Sequence, residues 1–161
     1  MVHLSGGTVA LVGAIMLGPR IGRFRPNLKV DKPISGHSIP LVALGALILI
    51  FGFMAFNGGS KGSITNPGDG VVVARAVLTT LIACCIGGGV VLFIYKLHPD
   101  GVWSLSKMIN GSLVGMVSIC AGADRYYPWA ACVISGIAGC CYVIVSKLMV
   151  RFKVGISFYG T

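Results

Sequence analysis

Residues 71–95, VVVARAVLTTLIACCIGGGVVLFIY, form an apolar run that contains a single charged side chain, Arg75, near its beginning. A helix needs about 20 apolar residues to cross the hydrocarbon core of a bilayer, so this run is long enough for one span. It predicts a transmembrane helix with Arg75 close to one membrane surface.

Four further apolar segments flank this run, at residues 3–18, 38–57, 104–121 and 128–150. The first is short, because its residues reach only about 24 Å as a helix while the hydrocarbon core is about 30 Å thick. Gly18-Pro19 favours a helix end there, since proline does not continue a helix. We therefore predict an all-α fold, a polytopic membrane helical bundle of about five transmembrane helices, with residues 1–161 forming one membrane domain.

The composition excludes a soluble class. Hydrophobic residues make up 55% of the chain and charged residues 11%, whereas a soluble domain has about 25% charged residues. The formal net charge is +9, but the basic residues lie between apolar runs rather than on one polar face. They are better explained by membrane topology than by nucleic-acid binding, and we expect no nucleic-acid partner.

The basic residues predict an orientation. With five spans, ten of them fall on one side of the membrane and three on the other. The ten are Arg20, Arg23, Arg25, Lys29, Lys32, Lys96, Lys107, Lys147, Arg151 and Lys153, and the three are Lys61, Arg75 and Arg125. Because cytoplasmic segments are enriched in Lys and Arg, we expect the N-terminus outside and the C-terminus in the cytoplasm. A basic loop at residues 19–37 that binds anionic lipid headgroups is compatible with the same orientation.

Motifs for catalysis or for metal binding are not found. The six cysteines all lie in apolar runs without a CxxC pair, which favours small buried hydrophobic side chains over metal ligands or disulfides. There is no Walker loop, nucleophile elbow or zinc motif, and the four aspartates are not paired on a helix. We expect neither an enzyme nor a cofactor nor a metal site.

Three features are candidates for function. His3 places an imidazole in an apolar segment, where it either lines a path for a small polar solute or contacts water near the surface. Asn57, followed by Gly58-Gly59-Ser60, is interpreted either as the outer mouth of a bundle or as a helix C-cap. Small residues repeat every four positions, which favours close helix packing in lipid. They are Gly6, Ala10, Ala14 and Gly18, then Gly111 and Gly115, then Ser135 and Gly139.

Several of these segments together resemble the ammonium transporter (Amt/Mep/Rh) family. The matching segments are VHLSGG at 2–7, LVGAI at 11–15, LGPRIGRF at 17–24, HSIPLVALG at 37–45, FGFMAFNGGS at 51–60, NGSLVG at 110–115 and PWAA at 128–131. The resemblance implies part of an eleven-helix fold, with the five spans similar to the fifth to ninth helices. It also implies that the chain lies in the plasma membrane and forms homotrimers, or heterotrimers with other members of the family.

The resemblance implies a function as well: transport of ammonium or ammonia through a narrow hydrophobic pore. His3 matches the first of two pore histidines, Ser60 matches a hydroxyl that receives the cation, and Phe53 stands at a pore-side position that is usually Trp. The family's membrane-embedded Asp and second pore histidine have no match in this chain. We therefore expect a truncated or fragmentary member. The alternatives are a non-conducting subunit that associates with full-length members, and an incomplete gene sequence.

Overall fold

The structure of the chain, a computed structural model, describes residues 1–19, 36–98, 101 and 103–154. These residues form five α-helices and no strand: α1 (Val2–Leu17), α2 (Ile39–Gly59), α3 (Asp69–Lys96), α4 (Leu105–Ile119) and α5 (Pro128–Arg151). The predicted all-α class is confirmed. The predicted basic loop falls mostly on residues 20–35, which lie outside the described residues.

Three of the five helices, α2, α3 and α5, are long and apolar enough to cross a membrane. α1 has 16 residues and α4 has 15, so they reach only about 24 Å and about 22 Å, less than the hydrocarbon thickness of about 30 Å. Many large apolar side chains of the long helices are exposed, among them Leu47, Phe51 and Ile137. Such surfaces suit lipid rather than water, and the chain is an integral membrane protein.

The chain divides into two compact units. One contains Met1–His37 and Val143–Thr161, and the other contains Ser38–Tyr142. The second unit includes α2, α3, α4 and the first part of α5. Its helices begin at typical signals: the Ser38 hydroxyl accepts a hydrogen bond from the Leu41 amide at 3.4 Å, and Gly68 precedes α3 in a left-handed conformation with φ 92°.

Glycines bring α3 and α4 into direct backbone contact. A Cβ added to Gly87 would lie 2.5 Å from the Gly111 carbonyl oxygen and 2.9 Å from the Gly115 Cα. A Cβ on Gly115 would collide with the Ala83 carbonyl oxygen. The Gly111 and Gly115 repeat is thus a packing surface, because a side chain at either position would push the two helices apart.

A small core completes this contact. Buried Ala76 and Ala83 of α3 pack with Ile119 of α4, Ala123 and Ala131. The Thr79 hydroxyl, fully buried, donates to the Ala123 carbonyl oxygen at 2.8 Å. This bond attaches the segment that follows α4 to α3, where water is not available to satisfy that carbonyl.

The other two small-residue repeats differ from each other. A Cβ on Gly139 of α5 would lie 3.3 Å from Val90 Cγ1 of α3, so this repeat also packs against a neighbouring helix. A Cβ on Gly6 of α1 would meet no described atom within 4 Å. The same spacing therefore marks helix contacts in α4 and α5. At Gly6 it marks a surface with no described neighbour.

We expect Gly115→Ala to lower the stability of the folded chain by about 1–3 kcal/mol, because the new methyl group would force α3 and α4 apart. The measurement is thermal unfolding in detergent. Gly89→Ala is the matched control: its Cβ would meet no described atom within 4 Å, so it should be neutral or stabilise by up to about 1 kcal/mol. Equal unfolding temperatures for the two variants would contradict the close contact.

Candidate functional site

Ser60 lies at the end of α2 with its hydroxyl already oriented. The side chain is exposed, and its Oγ donates to the Phe56 carbonyl oxygen at 2.6 Å. A hydroxyl has one proton and two lone pairs. Since the proton is used within the helix, the oxygen can act outward as an acceptor, which is the property needed to contact a cation.

Two aromatic rings precede Ser60 on the same side of α2. Phe53, Phe56 and Ser60 are spaced i, i+3 and i+7, which places them on one helix face. The Phe53 and Phe56 rings meet edge to face, with centroids 6.3 Å apart and an interplanar angle of 63°. Phe56 has 45% of its surface exposed. Sequence reasoning singled out Phe53 and missed Phe56, although the three-residue spacing was the signal for it.

The interpretation of Asn57 as the residue that ends and caps α2 is wrong. The helix continues to Gly59, and the capping position is Ser60. Asn57 is buried, and its Nδ2 donates to the Thr80 hydroxyl of α3 at 2.9 Å. The reason is physical: a buried amide in an apolar environment needs a partner, and the neighbouring helix supplies one.

His3 lies in the first turn of α1, half-buried. The polar groups that follow it on α1 are bonded within the helix, since the Thr8 hydroxyl donates to the Leu4 carbonyl oxygen at 2.8 Å. α1 belongs to the unit of Met1–His37 and Val143–Thr161, whereas Phe53 and Ser60 belong to the other unit. The role of His3 as a pore residue stays a prediction.

The loop between Ser60 and α3 is held by Asp69. Its carboxylate lies 3.1 Å from the Lys61 ammonium and accepts hydrogen bonds from the Asn66 backbone amide at 3.2 Å and from Asn66 Nδ2 at 3.0 Å. Asp69 is the first residue of α3 and lies ahead of the apolar run 71–95, beside the polar loop. Hydrogen bonds from Ser63, then Lys61, and then Asn66 lower the pKa of Asp69 from 3.8 to about 2.

A groove between α2 and α4, in the same unit, is mostly apolar. It has a volume of about 180 Å³ and is lined by apolar groups such as Leu47 and Met108, with Ser112 as a polar exception. Within the described residues, no three His, Cys, Asp or Glu side chains are grouped to hold a metal ion. All six cysteines are free thiols.

These features define a class of protein: a polytopic helical membrane protein with aromatic and hydroxyl groups at one end of an apolar helix. Comparison with known proteins gives the family. The model of the Ammonium Transporter Family matches residues 1–156. The chain belongs to this family, as its sequence motifs indicated.

The relatives are consistent with this assignment. The chain is 44% identical over 157 residues to a Caenorhabditis elegans protein provisionally named ammonium transporter 1, covering 96% of this chain and 29% of that protein. It is 38% identical over 138 residues to the ammonium transporter Amt1 of Methanocaldococcus jannaschii, covering 86% and 32% respectively. These relatives are named as transporters and not as enzymes.

A solved structure shows the same fold. The crystal structure of Saccharomyces cerevisiae Mep2 superposes on 98% of this chain and 34% of its own length, with a TM-score of 0.79 and 28% identity. The predicted partial ammonium transporter fold is confirmed. The chain spans about a third of the length of the relatives and of the structure that it matches.

We expect protection of the Asn66 amide from hydrogen exchange to depend on the charge of Asp69. Because the folded-state pKa is lowered, the ionised carboxylate stabilises the loop above about pH 4, and this contribution is lost as the pH falls towards about 2. The measurement is the Asn66 protection factor between about pH 5 and about pH 2, corrected for intrinsic exchange rates.

Asp69→Asn should reduce this protection near pH 5 and flatten the profile, because an amide carries no charge at any pH. Near pH 2, where the wild-type carboxyl is itself becoming neutral, the two proteins should approach the same protection. Asp124→Asn is the control, because Asp124 lies 3.7 Å from its neighbour Arg125 and makes no contact with the loop in the described structure. A pH profile for Asp69→Asn that equals the wild-type profile would exclude Asp69 as the group that holds the loop.

Proposed function

We propose that this chain forms part of a path that conducts ammonium or ammonia across a membrane. The observation that supports it best is the alignment of Phe53, Phe56 and Ser60 at the end of α2. Membership of the Ammonium Transporter Family and the names of the relatives support the choice of substrate. The chain acts on no covalent bond in this proposal, so it is not an enzyme.

The chemistry of the aligned groups fits an ammonium ion. A small cation is attracted to the face of an aromatic ring, and it donates hydrogen bonds to oxygen acceptors. The Ser60 oxygen is an acceptor because its proton is directed to the Phe56 carbonyl. The exposed ring of Phe56, next to Ser60, supplies the aromatic face, and Phe53 extends the apolar wall behind it.

His3 is proposed as a pore-lining residue of the same path. A neutral imidazole donates through one ring nitrogen and accepts through the other, so it can contact a small polar solute without adding a charge. Its position in the apolar helix α1 supports this role, since an ionisable group in a membrane segment is a candidate functional residue.

The orientation and the assembly are part of the same proposal. The excess of basic residues on one side supports an external N-terminus and a cytoplasmic C-terminus. Location in the plasma membrane is proposed from the family alone. The chain spans about a third of the length of its relatives, and in this proposal helices of several chains line the path together. We propose that it works in a homo- or hetero-trimer with family members.

We expect cells that lack their own ammonium uptake to take up methylammonium when they produce this chain in their plasma membrane. His3→Ala should reduce that uptake about tenfold, as expected when a buried polar contact worth about 1.4 kcal/mol is lost. His98→Ala is the control, because His98 is exposed at the end of α3. No uptake by the membrane-inserted wild type, produced alone or together with a full-length family member that is itself inactive, would reject the proposed function. Equal uptake by His3→Ala would remove His3 from it.

We expect Ser60→Ala to raise the methylammonium concentration at half-maximal uptake by about threefold to tenfold, because one hydrogen-bond acceptor for the cation is lost. Ser60→Thr keeps the hydroxyl and should stay close to the wild type. Kinetics of labelled methylammonium uptake measure both variants. If Ser60→Thr were as weak as Ser60→Ala, the hydroxyl would not be the group that binds.

A further inference from the structure

The last turns of α2 contain one of its attachments to the rest of its unit. Of its 21 residues, three are buried: Ala46, Asn57 and Gly58. A Cβ on Gly58 would lie 3.3 Å from Val77 and 3.4 Å from Val73 of α3, so the absence of a side chain lets the two helices approach there. This attachment to α3 lies immediately before Ser60, whereas Ala46 is buried in the first half of the helix.

A chain of two hydrogen bonds reinforces this attachment. The Asn57 amide donates to the Thr80 hydroxyl at 2.9 Å, and that hydroxyl donates to the Ala76 carbonyl oxygen at 2.6 Å. Asn57 is 6% exposed and Thr80 is fully buried. In an apolar environment neither group can exchange its partner for water, so the bond between α2 and α3 is costly to open.

The turn that contains Ser60 is built directly on this point. The Ser60 amide donates to the Phe56 carbonyl oxygen at 3.1 Å, the Lys61 amide to that of Gly58 at 3.4 Å, and the Gly62 amide to that of Gly59 at 2.9 Å. Phe56 and Gly58 flank Asn57 in the sequence. Any movement of Asn57 away from α3 would thus be transmitted to the Ser60 hydroxyl.

We propose that Asn57 and Thr80 are positioning residues that set the Ser60 hydroxyl for cation binding, an inference that rests on the proposed function. Neither residue contacts the solute in this proposal. Their bond fixes the end of α2, and the helix places Ser60 and the Phe56 ring. Loss of the hydrogen bond between Asn57 and Thr80 should weaken binding of the cation at Ser60 more than it lowers the maximal transport rate.

The neighbouring residue Thr79 supplies a matched control. It is also a fully buried threonine of α3, and its hydroxyl donates to the Ala123 carbonyl oxygen at 2.8 Å instead of to α2. Thr79→Val removes a buried hydroxyl that joins α3 to another segment, without removing a bond to the end of α2. The variant therefore distinguishes a general loss of protein stability from a specific displacement of the Ser60 hydroxyl.

The first experiment measures methylammonium uptake kinetics for the full chain. Asn57→Ala and Thr80→Val should each raise the half-saturating concentration about fivefold while the maximal rate changes less than about twofold. Thr80→Ser should restore the wild-type value, and Thr79→Val should leave it unchanged. A wild-type value for Thr80→Val, or an equal increase for Thr79→Val, would overturn the proposal.

The second experiment needs no transport. Hydrogen exchange of the purified chain should show the Ser60, Lys61 and Gly62 amides exchanging about tenfold faster in Asn57→Ala, while the amides of α5 are unchanged. If the wild type shows no uptake, the proposed function fails and this measurement alone decides the positioning. Unchanged exchange at those three amides would overturn it.

Discussion

The backbone contact between α3 and α4 is the interaction on which the unit of Ser38–Tyr142 depends. In lipid there is no hydrophobic force to bring helices together, so association depends on close packing and on hydrogen bonds between helices. Gly87 and Gly115 allow the backbones to touch. Once α3 and α4 are joined, α3 presents Thr80 to α2 and Thr79 to the segment after α4.

This arrangement explains how a mostly lipid-exposed helix can hold a site. α2 buries few of its residues: Ala46 in its first half, and Asn57 and Gly58 near its end. Phe56 and Ser60 lie within one turn of that end. The rest of α2 is free to contact lipid or other helices without disturbing the hydroxyl and the rings.

The sequence was sufficient to predict the fold class, because apolar runs as long as 71–95 have few alternatives to membrane helices. The family resemblance was also visible in short segments such as FGFMAFNGGS. The partners of individual side chains were not predictable. Gly6 and Gly115 share one spacing, but only a three-dimensional neighbour distinguishes open surface from a helix contact. Asn57 before two glycines is equally typical of a helix end, and its bond to Thr80 links positions 23 residues apart.

The unequal lengths of α3 and α4 have a consequence for the surrounding bilayer. α3 has 28 residues and α4 has 15, so the two packed helices measure about 42 Å and about 22 Å against a hydrocarbon core of about 30 Å. A helix longer than the hydrocarbon core tilts or projects into the headgroups, whereas a shorter one thins the bilayer or is covered by other helices. Because α3 and α4 lie side by side, the chain combines opposite length mismatches within about one helix diameter. A thicker bilayer suits α3 and a thinner one suits α4.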